Sequence, residues 1–338
     1  MEKILLFKIW AIGDTLMTTP FVRQIKKNRP DVEIDYMIWK KSSSVLQNNQ
    51  YINEIITFDE STFSDKKIFS LLWFFFKILK LRNKYSSVII FDKHRIFSFF
   101  FKLAWFKKRI WFDRAGKEWK HLTDKIYRDA SRRETEYNLD LLKLFSIEPD
   151  YNDQKYDFNI QASNESIDST INTLKSTGKK IIWISTWGWN AITNQIHGGN
   201  DCRRRSLDNR KSLTENLLSQ DYIVLLLWAP SDRILDISNP NFHNLLWKYS
   251  ISDSIYIISK LDKIICHESW FMHLVWCTQT PMIALAWPTN PHRLYPYKHP
   301  WNILWKETKE CYDIYGSFDA CTGNEINKIT VDDVLNVL

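Results

Sequence analysis

Residues 263–287 constrain the fold of this chain more than any other stretch. A short apolar run, Lys263–Cys266, meets a polar corner, His267–Ser269, and then a helical stretch holding Met272, His273 and Leu274. A second apolar run, Met282–Ala286, follows and empties into a loop containing Pro288 and Pro291. That order sets a helix N-terminus, with its unpaired N–H groups, beside the carboxyl ends of two adjacent strands. In open α/β sheets such corners receive phosphate.

The same alternation fills the rest of the sequence and predicts doubly wound parallel sheets. In the first half, Lys3–Ile9, Glu33–Ile38, Glu54–Phe58, Ser87–Phe91 and Arg109–Phe112 read as strands, with helices over Thr15–Asn28 and Leu71–Leu81. The polar stretch Asp150–Ser169 reads as a linker, dividing the chain into domains 1–155 and 156–338. Beyond it, Lys180–Ser185, Tyr222–Leu227, Asn244–Leu246, Lys263–Cys266 and Met282–Ala286 read as a second sheet, with helices near Ser212–Ser219 and Ser252–Lys260.

At 338 residues, 44% hydrophobic and 25% charged, the composition is that of a soluble two-domain protein. The longest apolar run, around Ile68–Phe76, falls short of the ~18 residues a bilayer span needs. The N-terminal apolar stretch is broken by Gly13-Asp14 and reads as a first strand, not a signal peptide. Five cysteines, odd in number and without C-x-x-C spacing, fit reduced thiols in the cytoplasm. No cluster of His, Cys or carboxylate has metal-ligand spacing, and no cofactor motif is present; Gly13 stands alone where a nicotinamide enzyme needs G-x-G-x-x-G.

The 264–291 stretch resembles the donor-binding signature of glycosyltransferase family 9, the lipopolysaccharide heptosyltransferases. Glu268, Ser269, Met272, His273, Leu274, Thr280, Pro281, Pro288, Thr289, Asn290 and Pro291 carry the resemblance. The opening KILLFKIWAIGDTLMTTP is similar to the family's N-terminal signature, and so are stretches at 109–116, 134–142 and 244–253. The resemblance implies GT-B architecture: two Rossmann-like doubly wound parallel-sheet domains facing a cleft, the first for the acceptor and the second for the donor. The segment Ile329–Leu338 resembles the family's closing helix. The implied activity is inverting, metal-independent transfer of a sugar, heptose first, from an ADP-heptose-like nucleoside-diphosphate sugar to a membrane-associated, lipopolysaccharide-core-like glycan.

By the same resemblance Asp14 is the general base, a carboxylate able to take the acceptor hydroxyl's proton. Read alone, it is a helix N-cap. Ser269 and the backbone N–H groups of Trp270, Phe271, Met272 and His273 would receive the donor diphosphate, where negative charge grows. His273 also reads as a packing residue, and Glu268 replaces the family's Asp. Arg203, with Arg204 and Arg205 as competitors, stands near the family's phosphate-reaching Lys. Asp232 resembles the contact to the donor ribose, or caps a helix.

Glycine is scarce, 8 residues, and tryptophan abundant, 16; together they make about 7% of the chain, the usual share of glycine alone. Trp10, Trp105, Trp111, Trp228, Trp247, Trp270 and Trp287 fall where the family has glycine or another small residue, and Trp276 at a small-residue site. Two explanations stand: a gene that uses UGA for glycine, or a diverged protein whose true tryptophans close the donor site.

The net charge of +7 is concentrated between Lys102 and Arg133, interleaved with Phe99, Phe100, Phe101, Phe106 and Phe112. A solvated helix face is the plain reading; a surface for anionic lipid or glycolipid is the sharper one. No nucleic-acid-binding signature accompanies it. The expected location is cytoplasmic, peripheral on the inner face of the inner membrane. A non-catalytic protein binding nucleotide-sugar or anionic glycan is the alternative function.

Overall fold

The computed structural model describes residues 2–9, 12–59, 68–92, 94–113, 120–128, 132–160, 163–185, 206–226, 235–245, 248–287, 290–295, 299, 301–306 and 325–338. The chain divides into two compact units, Met1–Asn159 and Ile160–Leu338.

In the first unit, β1 (Lys3–Phe7) leads through α1 (Ile12–Leu16) and α2 (Thr19–Asn28) to β2 (Glu33–Trp39), then β3 (Glu54–Phe58). The chain returns through α3 (Ile68–Leu81) to β4 (Ser87–Ile90), α4 (Arg95–Leu103), β5 (Lys108–Asp113) and β6 (Asp124–Tyr127), and α5 (Glu134–Asp140) follows. The strands form one parallel sheet in the order β3-β2-β1-β4-β5-β6. Strands covered on both faces need continuous apolar runs, which is what KILLF and SVII supply. On one face Phe7 packs against Phe97 and Phe101 at ring distances of 5.0 and 5.1 Å, with Phe74 at 6.0 Å.

The single helix expected over Thr15–Asn28 is two. The hydroxyls of Thr18 and Thr19 donate back to the carbonyls of Thr15 and Leu16 at 2.7 Å. Such back-bonding competes with the helical ladder and favours a break. Pro20, in the first turn of α2, fits a helix start there.

Arg23 on α2 is buried and clasps the segment that leaves this unit, bonding Asp153 at 2.8 Å and Asp157. Gln24 adds bonds to the Asp150 and Asp153 carbonyls. The stretch expected to be linker is therefore pinned at its start, and its last residues belong to a helix.

The second unit repeats the plan. After α6 (Glu165–Lys175) come β7 (Ile181–Ile184), α7 (Leu207–Ser219), β8 (Ile223–Leu226) and β9 (Phe242–Asn244). Next are α8 (Ile251–Ile258), β10 (Lys263–His267), α9 (Trp270–Val275), β11 (Met282–Leu285), α10 (Pro291–Leu294), β12 (Trp301–Leu304) and α11 (Val331–Leu335). All its strands are parallel, in the order β12-β11-β10-β7-β8-β9. Ile184, Leu217, Val224, Ile265, Ile283, Ile326 and Val334 form its core. Both sheets thus have the doubly wound order read from the sequence. In each, strand order reverses beside the unit's first strand, between β1 and β4 and between β7 and β10. Ligands of open α/β sheets bind at the carboxyl ends of the strands flanking that reversal.

Most phenylalanines of the basic stretch are the core face of α4 and the strand after it, the plainer of the readings open to them. Phe97, Phe101, Phe106 and Phe112 are buried, leaving Phe99 exposed and Phe100 half-buried. Its later cations are engaged within the unit: Arg128 with Glu134, Arg132 with Asp140 and Glu136, Arg133 with Glu136. Among the described residues the exposed large apolar side chains lie on α3, on the outer side of α4, and at Trp105 and Tyr127.

Candidate functional site

Each unit places a polar corner at its own reversal point. In the first, β1 ends at Phe7 and delivers Lys8, whose side chain is buried although it carries a cation. Its Nζ lies 3.1 Å from Oδ2 of Asp14, which sits in the first turn of α1 and is partly exposed. Asp14 is therefore not an N-cap: its carboxylate is held by a lysine from the preceding strand. From the other flanking strand comes Asp92, fully buried, accepting from the Ile9 and His94 N–H groups at 3.4 and 3.1 Å. Burial raises its carboxyl above the usual range, against the charge of Lys8 and those two N–H bonds. Beneath them the Tyr36 hydroxyl meets Thr18 Oγ1 at 2.9 Å. Burial raises its phenol, the Thr18 bond lowers it, and the negative charges of Asp14 and Asp92 raise it further. Among the described residues the corner thus holds one cation, Lys8, with two carboxylates, Asp14 the outermost, an arrangement suited to orienting a carboxylate for proton transfer.

Lys8 and Asp92 were missed by sequence reasoning. The signal was a lone lysine closing an apolar strand, and an acid directly after the apolar run SVIIF. Each puts charge at the carboxyl end of a strand buried on both faces.

In the second unit the expected residues come together between β10 and α9. His267 Nδ1 contacts the Ser185 carbonyl at the end of β7, 3.2 Å away, and the Glu268 N–H donates to Leu285 of β11 at 3.2 Å. Ser269 is the N-cap of α9 with extended backbone, yet its side chain makes no capping bond. Its Oγ is buried without a hydrogen-bond partner among the described residues. A hydroxyl so placed is costly unless a ligand uses it. Met272 is fully buried, and Phe271 packs on Trp183 at 4.6 Å, so their side chains serve packing; the Met272 N–H, expected to receive the diphosphate, instead donates to the Ser269 carbonyl at 3.2 Å as the first turn of α9 closes. His273 is buried with its ring edge-on to Trp276 at 4.7 Å. Thr280 donates to the Ile258 carbonyl at 2.7 Å and Asn290 caps α10, so these motif residues shape the corner. The Trp270 indole is buried, edge-on to Phe271 at 6.1 Å.

Arg203, Arg204, Arg205 and Asp232 lie outside the described residues, as do Trp10, Trp228, Trp247, Pro288, Thr289, Cys202, Cys311 and Cys321. Among the described residues no group of His, Cys, Asp or Glu could hold a metal ion. Cys266, buried in β10, has its thiol pushed up by that burial, which leaves it unreactive.

Residues 206–317 match the family model of glycosyltransferase family 9 (heptosyltransferase). Over that third of the chain the sequence is similar to glycosyltransferase family 9. The chain is 29% identical over 77 residues to lipopolysaccharide heptosyltransferase 3 of Escherichia coli, a match spanning 23% of this chain and 22% of that relative. Solved structures with the same fold include these three. A glycosyltransferase family 9 protein from Veillonella parvula has a TM-score of 0.74 at 17% identity, over 99% of this chain and 95% of that one. The ADP-heptose lipopolysaccharide heptosyltransferase II of E. coli has a TM-score of 0.71 at 16% identity, over 99% and 97%. Another E. coli heptosyltransferase, solved with ADP-2-deoxy-2-fluoro heptose, gives 0.68 at 14% identity over 99% and 98%. The heptosyltransferase-like match begins at the start of α7 and includes the Ser269 corner; the fold likeness extends to both units and is that of GT-B heptosyltransferases.

Proposed function

We propose that the chain is an inverting glycosyltransferase that works without a metal, moving a sugar, heptose first in line, from a nucleoside diphosphate to a hydroxyl of a cell-envelope glycan. The first unit takes the acceptor and the second the donor. The observation that carries this reading is the pair of polar corners, one at each sheet's reversal point, holding the family's matching residues. Asp14 takes the proton as the acceptor oxygen bonds to the anomeric carbon and the bond to the diphosphate breaks. Lys8, 3.1 Å away, holds that carboxylate in place. Ser269 Oγ and the N–H groups of Trp270, Phe271 and His273 receive the charge growing on the leaving diphosphate, the Met272 N–H being bonded to the Ser269 carbonyl. Arg203 reaches the phosphates, Asp232 the ribose, and Glu268 sets the corner's polarity.

A screen of nucleoside-diphosphate sugars with product detection tests the reading, ADP-heptose giving the expected product. Turnover unchanged in Asp14→Ala would remove Asp14 from the base role. The second reading, a non-catalytic binder of nucleotide-sugar, is favoured by the buried Trp270 indole beside Ser269. Calorimetric binding of ADP with no turnover on any acceptor would select it.

The protein's place is cytoplasmic and peripheral on the membrane that carries the acceptor. Among the described residues no helix is long and apolar enough to cross a membrane. On α3, Phe69, Leu72, Trp73 and Phe76 follow helical i, i+3, i+4, i+7 spacing and are all exposed; Ile96, Phe99 and Leu103 are exposed on α4. Lys80, Arg95, Lys102 and Lys107 are exposed nearby in sequence. An apolar stripe with cations suits an anionic lipid surface, each Lys or Arg near it contributing ~1 kcal/mol. Co-sedimentation with phosphatidylserine-containing vesicles at low salt, lost in Trp73→Glu/Phe76→Glu, is the expected result. Undiminished pelleting of that variant would move the surface elsewhere.

A further inference from the structure

Three of the tryptophans are physically misplaced, each in a way that glycine would cure. Trp105 follows α4 at the position after its C-cap, with φ +56°. Its N–H bonds the Lys102 carbonyl at 3.0 Å and the next N–H, of Phe106, bonds Phe101 at 3.1 Å. That pair of bonds is the Schellman ending, whose left-handed residue is usually glycine because a Cβ there is strained. The other described non-glycine residues with positive φ are Asn48, Ser146 and Asp221, all small and polar. The Trp105 indole is 68% exposed, with the Arg82 guanidinium 5.5 Å from its ring centre.

Trp183, in the middle of β7, and Trp287, just after β11, fail differently. Both are buried, and the indole Nε1 of each has no hydrogen-bond partner among the described residues. A buried indole N–H is normally bonded, and leaving it unbonded is costly. Trp183 lies against Phe271, so this bulk is packed directly behind the Ser269 corner. Trp270 opens the helix at that corner.

We propose that Trp105, Trp183, Trp270 and Trp287 stand at positions that are glycine in the protein as its own cells make it, the gene writing UGA there. Glycine at Trp105 relieves the left-handed strain, and at Trp183 and Trp287 it removes the orphaned N–H groups. For Trp270 the inference rests on the donor-site reading: glycine there lets a diphosphate approach the backbone N–H groups beside Ser269. The scarcity of glycine and excess of tryptophan across the chain follow from the same cause.

The test is to read the four codons and map the peptides of protein purified from its own host. UGA at all four, with each peptide lighter by one indolylmethyl group, is expected; UGG codons or intact tryptophan masses overturn the proposal. A recombinant Trp105→Gly chain gives a second readout, expected to raise the thermal unfolding midpoint by a few degrees; a lowered midpoint overturns the assignment at that position. Titrating ADP into the chain with all four changes separates the two readings. Binding gained over the tryptophan form supports both, whereas no binding with UGA confirmed leaves the glycine assignment standing and sinks the donor site.

Discussion

The two reversal-point corners share a strand order and are filled in opposite ways. The first unit fills its corner with an ion pair and a buried acid: Lys8 and Asp92 just past the ends of β1 and β4, and Asp14 in the first turn of α1. The second fills its corner with the buried Ser269 hydroxyl, Glu268, His267 and His273 at a helix N-terminus, backed by rings at Trp183, Phe271 and Trp270. A cation-held carboxylate suits proton transfer, and a helix N-terminus suits an anion. On the proposed reading the contrast divides chemistry and donor binding between the units, and it can be broken by mutation.

The largest effect is expected at Lys8. Lys8→Met strips Asp14 of its cation, so the carboxylate's pKa rises, and the acid limb of the kcat/KM profile moves up by about one pH unit or more. On that limb, below both pKa values, activity falls about tenfold for each pH unit moved, with ADP affinity unchanged. A profile that does not move would show that Lys8 serves folding alone. Ser269→Ala should do the reverse, weakening ADP binding about tenfold, the worth of one good hydrogen bond, while leaving the acid limb in place. Equal loss of binding in both variants would erase the division of labour.

A third, smallest effect lies outside both corners. Asp333 caps α11 through Thr330, and its carboxyl is lowered to about 2, first by the hydrogen bond from Lys306 and then by the Thr330 N–H. A depressed carboxyl contributes stability above its unfolded pKa, near 4, and loses it as pH falls toward about 2. The group is largely exposed, so the contribution is only a few tenths of a kcal/mol. Denaturant titrations at pH 6 and pH 3 should show Asp333→Asn losing less stability between them than the parent chain.

The sequence made the interior of both sheets legible because strands such as Lys3–Phe7 and Lys263–His267 are apolar runs bounded by polar residues. It concealed β6 and β12, which lie at the sheet edges. DKIY in β6 is half charged, and an edge strand needs no continuous apolar run to be covered on both faces. The break between α1 and α2 was hidden because apolar periodicity continues across it while the threonine hydroxyls decide locally. In the candidate site, Ser269 and Asp14 were found through motif likeness. Lys8 and Asp92 required knowing which strands flank the reversal, a property of strand order that no local pattern encodes.

The Arg23 clasp has a practical consequence for anyone dissecting the protein. Its guanidinium is buried and reaches forward to Asp153 and Asp157, which lie at the far end of the first unit's sequence. A fragment that stops at 149 would leave that cation inside the fold with neither acid to meet it, a loss that ordinarily costs several kcal/mol. The first unit should therefore be cut after Asn159, so that a gene fragment carries its own counter-ions.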